Sequence, residues 1–138
     1  TRALYSTYVS FLPPEKFSYS VSKNVDSRGI FTEILKTNNH GQFSFFTTLP
    51  GITRGNHYHH SKTEKFLVIK GKACFKFFNM ETNDKYELSV NSDKLEMVES
   101  IPGWSHSITN IGDDEMITIL WSNEIYNPLN PDTFHYRI

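Results

Sequence analysis

The sequence predicts an all-β fold, a sandwich or barrel of the jelly-roll kind. Nearly every apolar segment is short, and turn chemistry interrupts the chain at intervals of about eight to twelve residues. No stretch sustains the 3.6-residue apolar period of an amphipathic helix. Period-two alternation is visible instead, as at residues 72–79, where Ala73, Phe75 and Phe77 oppose Lys72, Cys74 and Lys76. Within this class, the double-stranded β-helix is the member whose open mouth gathers side chains from several strands.

Taken in order, residues 3–12 (ALYSTYVSFL) are apolar and aromatic with β-branched members, and predict an opening strand that Pro13-Pro14 ends. Residues 25–29 read as a turn and residues 30–36 as a strand, with Phe31, Glu33 and Leu35 on one face and Ile30, Thr32, Ile34 and Lys36 on the other. Asn38-Asn39-His40-Gly41 turns the chain into a Phe- and Thr-rich strand at 42–49, which Pro50-Gly51 closes. Residues 81–84 form a polar hairpin tip between strands at 72–79 and 85–90, and Asn91-Ser92-Asp93 turns again. Residues 94–99 lead to Pro102-Gly103, residues 105–110 form a strand, and Gly112-Asp113-Asp114 is a tight turn. Residues 115–121 (EMITILW) are the most apolar strand and should be central, whereas the tail, with Pro128 and Pro131, should be mostly irregular.

At 138 residues the chain is one domain's worth, with a formal net charge of −1 and no basic run, which excludes nucleic acid and anionic membrane surfaces as expected partners. No apolar run approaches the roughly 20 residues of a membrane span, and no signal peptide is visible. Cys74 is alone, so it reads as a buried small hydrophobe and the chain as cytoplasmic. A dinucleotide glycine fingerprint is missing, so this stretch should not bind NAD(P). The first residue is Thr1 and not Met, which fits a chain cut from a longer protein.

Chemistry concentrates in residues 51–71, GITRGNHYHHSKTEKFLVIKG. His57 and His59 share one face of an extended strand, with Tyr58 and His60 on the other. Ser61-Lys62-Thr63 is a polar break, and a hairpin folded there returns the Glu64 carboxylate beside the imidazoles. Two His and a carboxylate outline a metal site, and His106, just past the Pro102-Gly103 turn, supplies a fourth ligand. A set of three His and one Glu suits Zn2+, and also Fe2+ or Mn2+.

These stretches resemble the paired cupin signature, G-x5-H-x-H-x4-E-x6-G from Gly51 to Gly71 and P-G-x2-H-x3-N from Pro102 to Asn110. The first matches at every position. The second lacks the leading glycine and has Pro and Gly adjacent. The resemblance implies a single cupin domain over residues 1–138.

Asp26-x-Arg28-Gly29-x-Phe31-x-Glu33 and Arg54-Gly55-Asn56-His57 resemble stretches of the sugar-nucleotide 3,5-epimerases. There the arginines serve the nucleotide phosphates, and the Phe and Glu serve the base, so Arg28, Phe31, Glu33 and Arg54 are the expected substrate contacts. In that group the histidine is the catalytic base and the residue two beyond it is usually not a ligand. Here that residue is His59 and Glu64 follows, so His57 is read as a ligand.

Over nearly the full length, ALYSTYVSFLP, VDSRG, GNHYHH-KTEKFLVIKGK, SHSITNIGDDE and NPDTF look like the C-terminal cupin domain of the CapF/WbjC-like enzymes of capsular and O-antigen polysaccharide synthesis. That resemblance implies a zinc cupin that epimerises C3 of a UDP-linked 4-keto-6-deoxy-HexNAc. It also implies a homodimer and an attached N-terminal short-chain reductase domain that reduces C4 with NADPH. The product implied is a precursor of UDP-N-acetyl-L-fucosamine. The general base is not identified: Lys65, Tyr58 and His60 point away from the ligand face, and Tyr126 and His135 in the tail are the remaining candidates. The alternatives are a purely structural metal, a dioxygenase cupin, and a non-catalytic cupin that binds sugar nucleotide or dimerises the attached reductase.

Overall fold

Residues 2–138 are described by a computed structural model. Among these described residues, eleven strands form two antiparallel sheets facing one another. The first, in the order β1-β2-β3-β10-β5-β8, contains β1 (Asn24–Asp26), β2 (Gly29–Thr37), β3 (Gly41–Thr48), β5 (Glu64–Lys70), β8 (Met97–Ser100) and β10 (Met116–Ser122). The second, in the order β11-β4-β9-β6-β7, contains β4 (Thr53–Tyr58), β6 (Lys72–Asn79), β7 (Lys85–Asn91), β9 (Trp104–Asn110) and β11 (Phe134–His135). The most apolar strand, β10, is interior, between β3 and β5, as its composition requires.

The inward faces follow the two-residue period. Phe46, Phe66, Val68, Ala73, Phe75, Phe77, Val90, Val98, Ile108 and Met116 make one core between the sheets. Cys74 is buried within β6, as expected of a small hydrophobe. Toward the end of the sheets that carries the histidines, the inward positions turn polar, and Gln42, Ser44, Glu64 and His106 are all buried.

Three expectations fail. Residues 3–12 are not a strand: Arg2–Ser10 is a helix, α1, followed by a 3-10 turn at Pro14–Lys16. Leu4, Tyr5 and Tyr8 sit at helical spacing, no sheet edge recruits the segment, and the Ser6 and Thr7 hydroxyls bond back to the carbonyls of Arg2 and Ala3. No residue of α1 is buried.

Nor do residues 61–63 make a hairpin. β4 pairs with β9, while β5 pairs with β10 and β8, so the chain crosses from one sheet to the other at this point. Finally, β2 changes register against β3 between Glu33 and Leu35. The irregularity breaks the alternation and leaves Leu35 exposed instead of beside Phe31 and Glu33.

Candidate metal centre

The polar end of the interior is built by two strands of one sheet and one of the other. His57 on β4 lies opposite His106 on β9. A register shift between Gly55 and His57, with Gly55 at φ 87° and Asn56 at φ 62°, creates that pairing. A Cβ on Gly55 would meet the His106 carbonyl oxygen at 2.7 Å, so only glycine lets the strands approach this closely. His59 follows β4 and is wholly buried; Glu64 opens β5 across the interior.

The sequence-predicted set His57, His59, Glu64 and His106 is brought together, with one donor atom from each within 4.8 Å of all the others. Glu64 Oε2 stands 3.1 Å from both His59 Nε2 and His106 Nε2. Donors about 2 Å from one ion lie at most about 4 Å apart, so a small contraction would seat one cation.

Hydrogen-bond chemistry tests that fit. His59 Nδ1 is 2.5 Å from the Asp132 carbonyl oxygen, which can only accept, so Nδ1 carries a proton and Nε2 is the nitrogen turned toward Glu64. With Nε2 deprotonated, its lone pair faces a Glu64 lone pair at 3.1 Å, an arrangement that a cation between them satisfies. His106 Nδ1 meets Ser100 Oγ at 2.7 Å, while its buried Nε2 has no hydrogen bond of good geometry among the described residues. Burial, with His106 nearby, lowers the His57 pKa to about 3, so this imidazole is neutral with a lone pair to offer. Burial alone would raise the Glu64 carboxyl, but in the metal-free protein hydrogen bonds donated by the His106 and His59 imidazoles, with Lys62 nearby, hold it well below the usual carboxylate range. Three imidazoles, once their facing nitrogens give up any proton, and one carboxylate form a donor set that fits Zn2+, Fe2+ or Mn2+.

A two-lobed cavity opens on this cluster. One lobe, about 210 Å³, is walled by Arg28, Phe31, Phe46, Arg54, His57 and His106. The other, about 300 Å³, shares Phe31, His57, Glu64 and Leu120 with the first and adds Glu33, Lys62 and Tyr126. A larger cleft of about 430 Å³ near Phe77, Met97 and Trp104 includes none of the converging ligands in its lining.

All four expected substrate contacts therefore border the cavity, with unequal freedom. The Arg28 guanidinium is exposed and paired with Asp26 at 2.6 Å, which lowers the Asp26 pKa to about 2. Arg54 is buried over the Phe46 ring and donates to the Thr47 and Ile30 carbonyls through Nε and Nη2, with no hydrogen bond from Nη1 among the described residues. Glu33 pairs with Lys36 at 2.5 Å.

Among the candidate bases, Lys65 points outward to Glu99, and Tyr58 and His60 pack on Phe134. His135 is exposed on β11, in register with His57. Tyr126 alone of these lines the cavity.

Two residues escaped the sequence reading. Lys62 looked like part of a solvated turn, yet it is buried with Nζ 3.5 Å from Glu64 Oε1 and 3.3 Å from Thr133 Oγ1. Asp132 lies in a proline-containing tail with no periodicity to mark it. Burial would raise its carboxyl, but backbone N–H groups of His60, Ser61 and Lys62 hold it well below the usual range.

Comparison with known proteins agrees with this architecture. The chain is 61% identical over 134 residues to the UDP-2-acetamido-2,6-beta-L-arabino-hexul-4-ose reductase of Pseudomonas aeruginosa, covering 97% of this chain and 36% of that protein. The capsular polysaccharide assembling protein CapF of Staphylococcus aureus superposes with a TM-score of 0.92 at 47% identity, over 99% of this chain and 40% of that one. Oxalate decarboxylase of Bacillus subtilis matches at a TM-score of 0.66 and 17% identity, over 84% of this chain and 30% of that one, a likeness of cupin fold alone. The chain thus spans well under half the length of these relatives. Residues 24–134 match the polysaccharide biosynthesis C-terminal domain family, and with the jelly-roll cupin fold around its histidines this chain belongs to that family as a CapF-like C-terminal domain.

Proposed function

We propose that this domain epimerises C3 of a UDP-linked 4-keto-6-deoxy-N-acetylhexosamine with a divalent metal at His57, His59, Glu64 and His106. The reaction would serve a cytoplasmic route to UDP-N-acetyl-L-fucosamine for capsular or O-antigen polysaccharide. The observation that carries this reading is one cavity wall bearing three of the converging ligands, His57, Glu64 and His106, together with Arg28 and Arg54.

A bound Zn2+, or Fe2+ or Mn2+, supplies a Lewis acid that eases proton loss next to a ketone. Arg28 and Nη1 of Arg54 offer donors for the diphosphate, Phe31 packs against the base, and Glu33 accepts from it. Lys62 brings an ammonium to the wall beside Glu64, where it can hydrogen-bond an oxygen on which charge builds. C4 reduction with NADPH belongs to an attached N-terminal reductase domain, and the assembly is a homodimer. The lengths of two relatives, of which this chain spans 36% and 40%, support an attached domain, one of them being called a UDP-sugar reductase.

The test is NMR of a UDP-4-keto sugar in D2O. Deuterium should enter at C3 with the loaded protein and stop after chelation or in His106→Ala. A second reading, a structural metal in a sugar-nucleotide-binding cupin, draws on the burial of His59 and His106. It requires tight UDP-sugar binding without C3 exchange.

A further inference from the structure

After β10 the chain returns across the mouth of the cavity and is tied down along its length. Asn123 exchanges hydrogen bonds with Thr63, Tyr126 N–H donates to Gln42 Oε1, and Tyr136 N–H donates to the Asn56 carbonyl. The densest knot is at Asp132. Its Oδ1 accepts from His60 N–H at 2.8 Å; its Oδ2 accepts from Ser61 N–H at 2.7 Å, Lys62 N–H at 2.8 Å and Ser61 Oγ at 2.9 Å. Three consecutive backbone donors converging on one carboxylate fix the crossing between the sheets as a rigid turn. The same residue turns its carbonyl inward to His59 Nδ1, and its neighbour Thr133 accepts from Lys62 Nζ.

We propose that Asp132 is a positioning residue for the metal centre. Its carboxylate clamps the turn at residues 60–62 so that its own carbonyl holds His59 with the proton on Nδ1 and the lone pair of Nε2 aimed at Glu64. The geometry is specific to this role. A side chain that merely closed the turn would not need its carbonyl against a wholly buried imidazole. A ligand imidazole free to rotate or change tautomer would also present an N–H to the cation, and partners of this kind raise metal affinity about 10- to 100-fold. The inference rests on the four residues being metal ligands.

The experiment keeps the two ideas separable. Nitrogen-15 NMR of the metal-free protein should place the His59 proton on Nδ1; a proton on Nε2 overturns the proposal whatever the protein binds. Co2+ and Zn2+ affinities are then measured by chelator competition, with the Co2+ absorption spectrum as the signature of coordination. Asp132→Ala should weaken both metals about 10- to 100-fold, mix the His59 tautomers and alter the Co2+ bands. Asp132→Asn keeps an acceptor oxygen and should recover part of the loss. Wild-type affinity and spectrum in both variants would overturn the role of Asp132. A wild-type protein that binds neither metal, with its His59 tautomer as stated, would instead overturn the metal reading. Should Asp132→Ala fail to fold, Ser61→Ala removes one contact to Oδ2 and should give a smaller loss in the same direction; an unchanged affinity there, with Asp132→Asn also unchanged, counts against the proposal.

Discussion

His57 and His106 face each other across the β4·β9 ladder, their rings 4.7 Å apart and nearly perpendicular, because the bulge at Gly55 and Asn56 shifts the register by one residue just before His57. Backbone irregularity, and not strand regularity, brings these two imidazoles into one cluster.

Gly55→Ala should therefore damage both the fold and the site. The new Cβ would lie 2.7 Å from the His106 carbonyl oxygen at a φ of 87°. We expect a loss of roughly 2 kcal/mol or more in urea denaturation, with weaker cation binding. A variant as stable as wild type would show that the bulge does not set the spacing of the histidines.

Removal of a ligand should uncouple cation from stability. Zn2+ at one hundred times its dissociation constant raises stability by about 2.7 kcal/mol, so wild type should melt higher with Zn2+. His106→Ala, which deletes a buried donor facing Glu64, should show little or no shift in calorimetry.

The pH dependence of the metal-free protein follows from His57 and Glu64. His57 titrates at about 3 when folded and at the ordinary 6.5 when unfolded. Below pH 6.5 the unfolded chain takes up the proton first, so stability falls with pH through that range down to about 3, by a few kcal/mol. Glu64, also held low, contributes stability above its ordinary 4.5 that is lost as pH falls further. Denaturation at pH 7.5, 6, 5 and 4 should show a monotonic decline, and His57→Gln should flatten its upper part.

The two arginines should separate binding from folding. Arg28→Ala removes an exposed group paired only with Asp26, and should weaken UDP binding in calorimetry with stability changed by less than about 0.5 kcal/mol. Arg54→Ala leaves the Thr47 carbonyl without its side-chain donors, and should cost about 2 kcal/mol as well as affinity. Equal stability losses in the two variants would contradict this division.

Much of the centre was legible from spacing alone. A two-residue period puts His57 and His59 on one face wherever the strand lies, and Phe46, Phe66 and Phe75 point inward by the same rule. The helix α1 was missed because β-branched and aromatic residues outweighed the spacing of Leu4, Tyr5 and Tyr8, and because an unpaired segment with no sheet edge to join keeps its local hydrogen bonds. Lys62 reads as a solvated turn residue and becomes buried only because Thr133 and the tail fold over it.

The sequence by itself determined the alternation of inward and outward side chains, the turn positions and the grouping of His57, His59 and Glu64, since each depends on residues within a few positions of one another; His106 joins them through the pairing of β4 with β9. Tertiary structure alone decided that β4 and β5 belong to opposite sheets and that Asp132, 73 residues distant, holds His59. Strand pairing and tail closure are chosen by register and burial summed over the whole domain. No local pattern encodes which distant backbone carbonyl will meet a given imidazole.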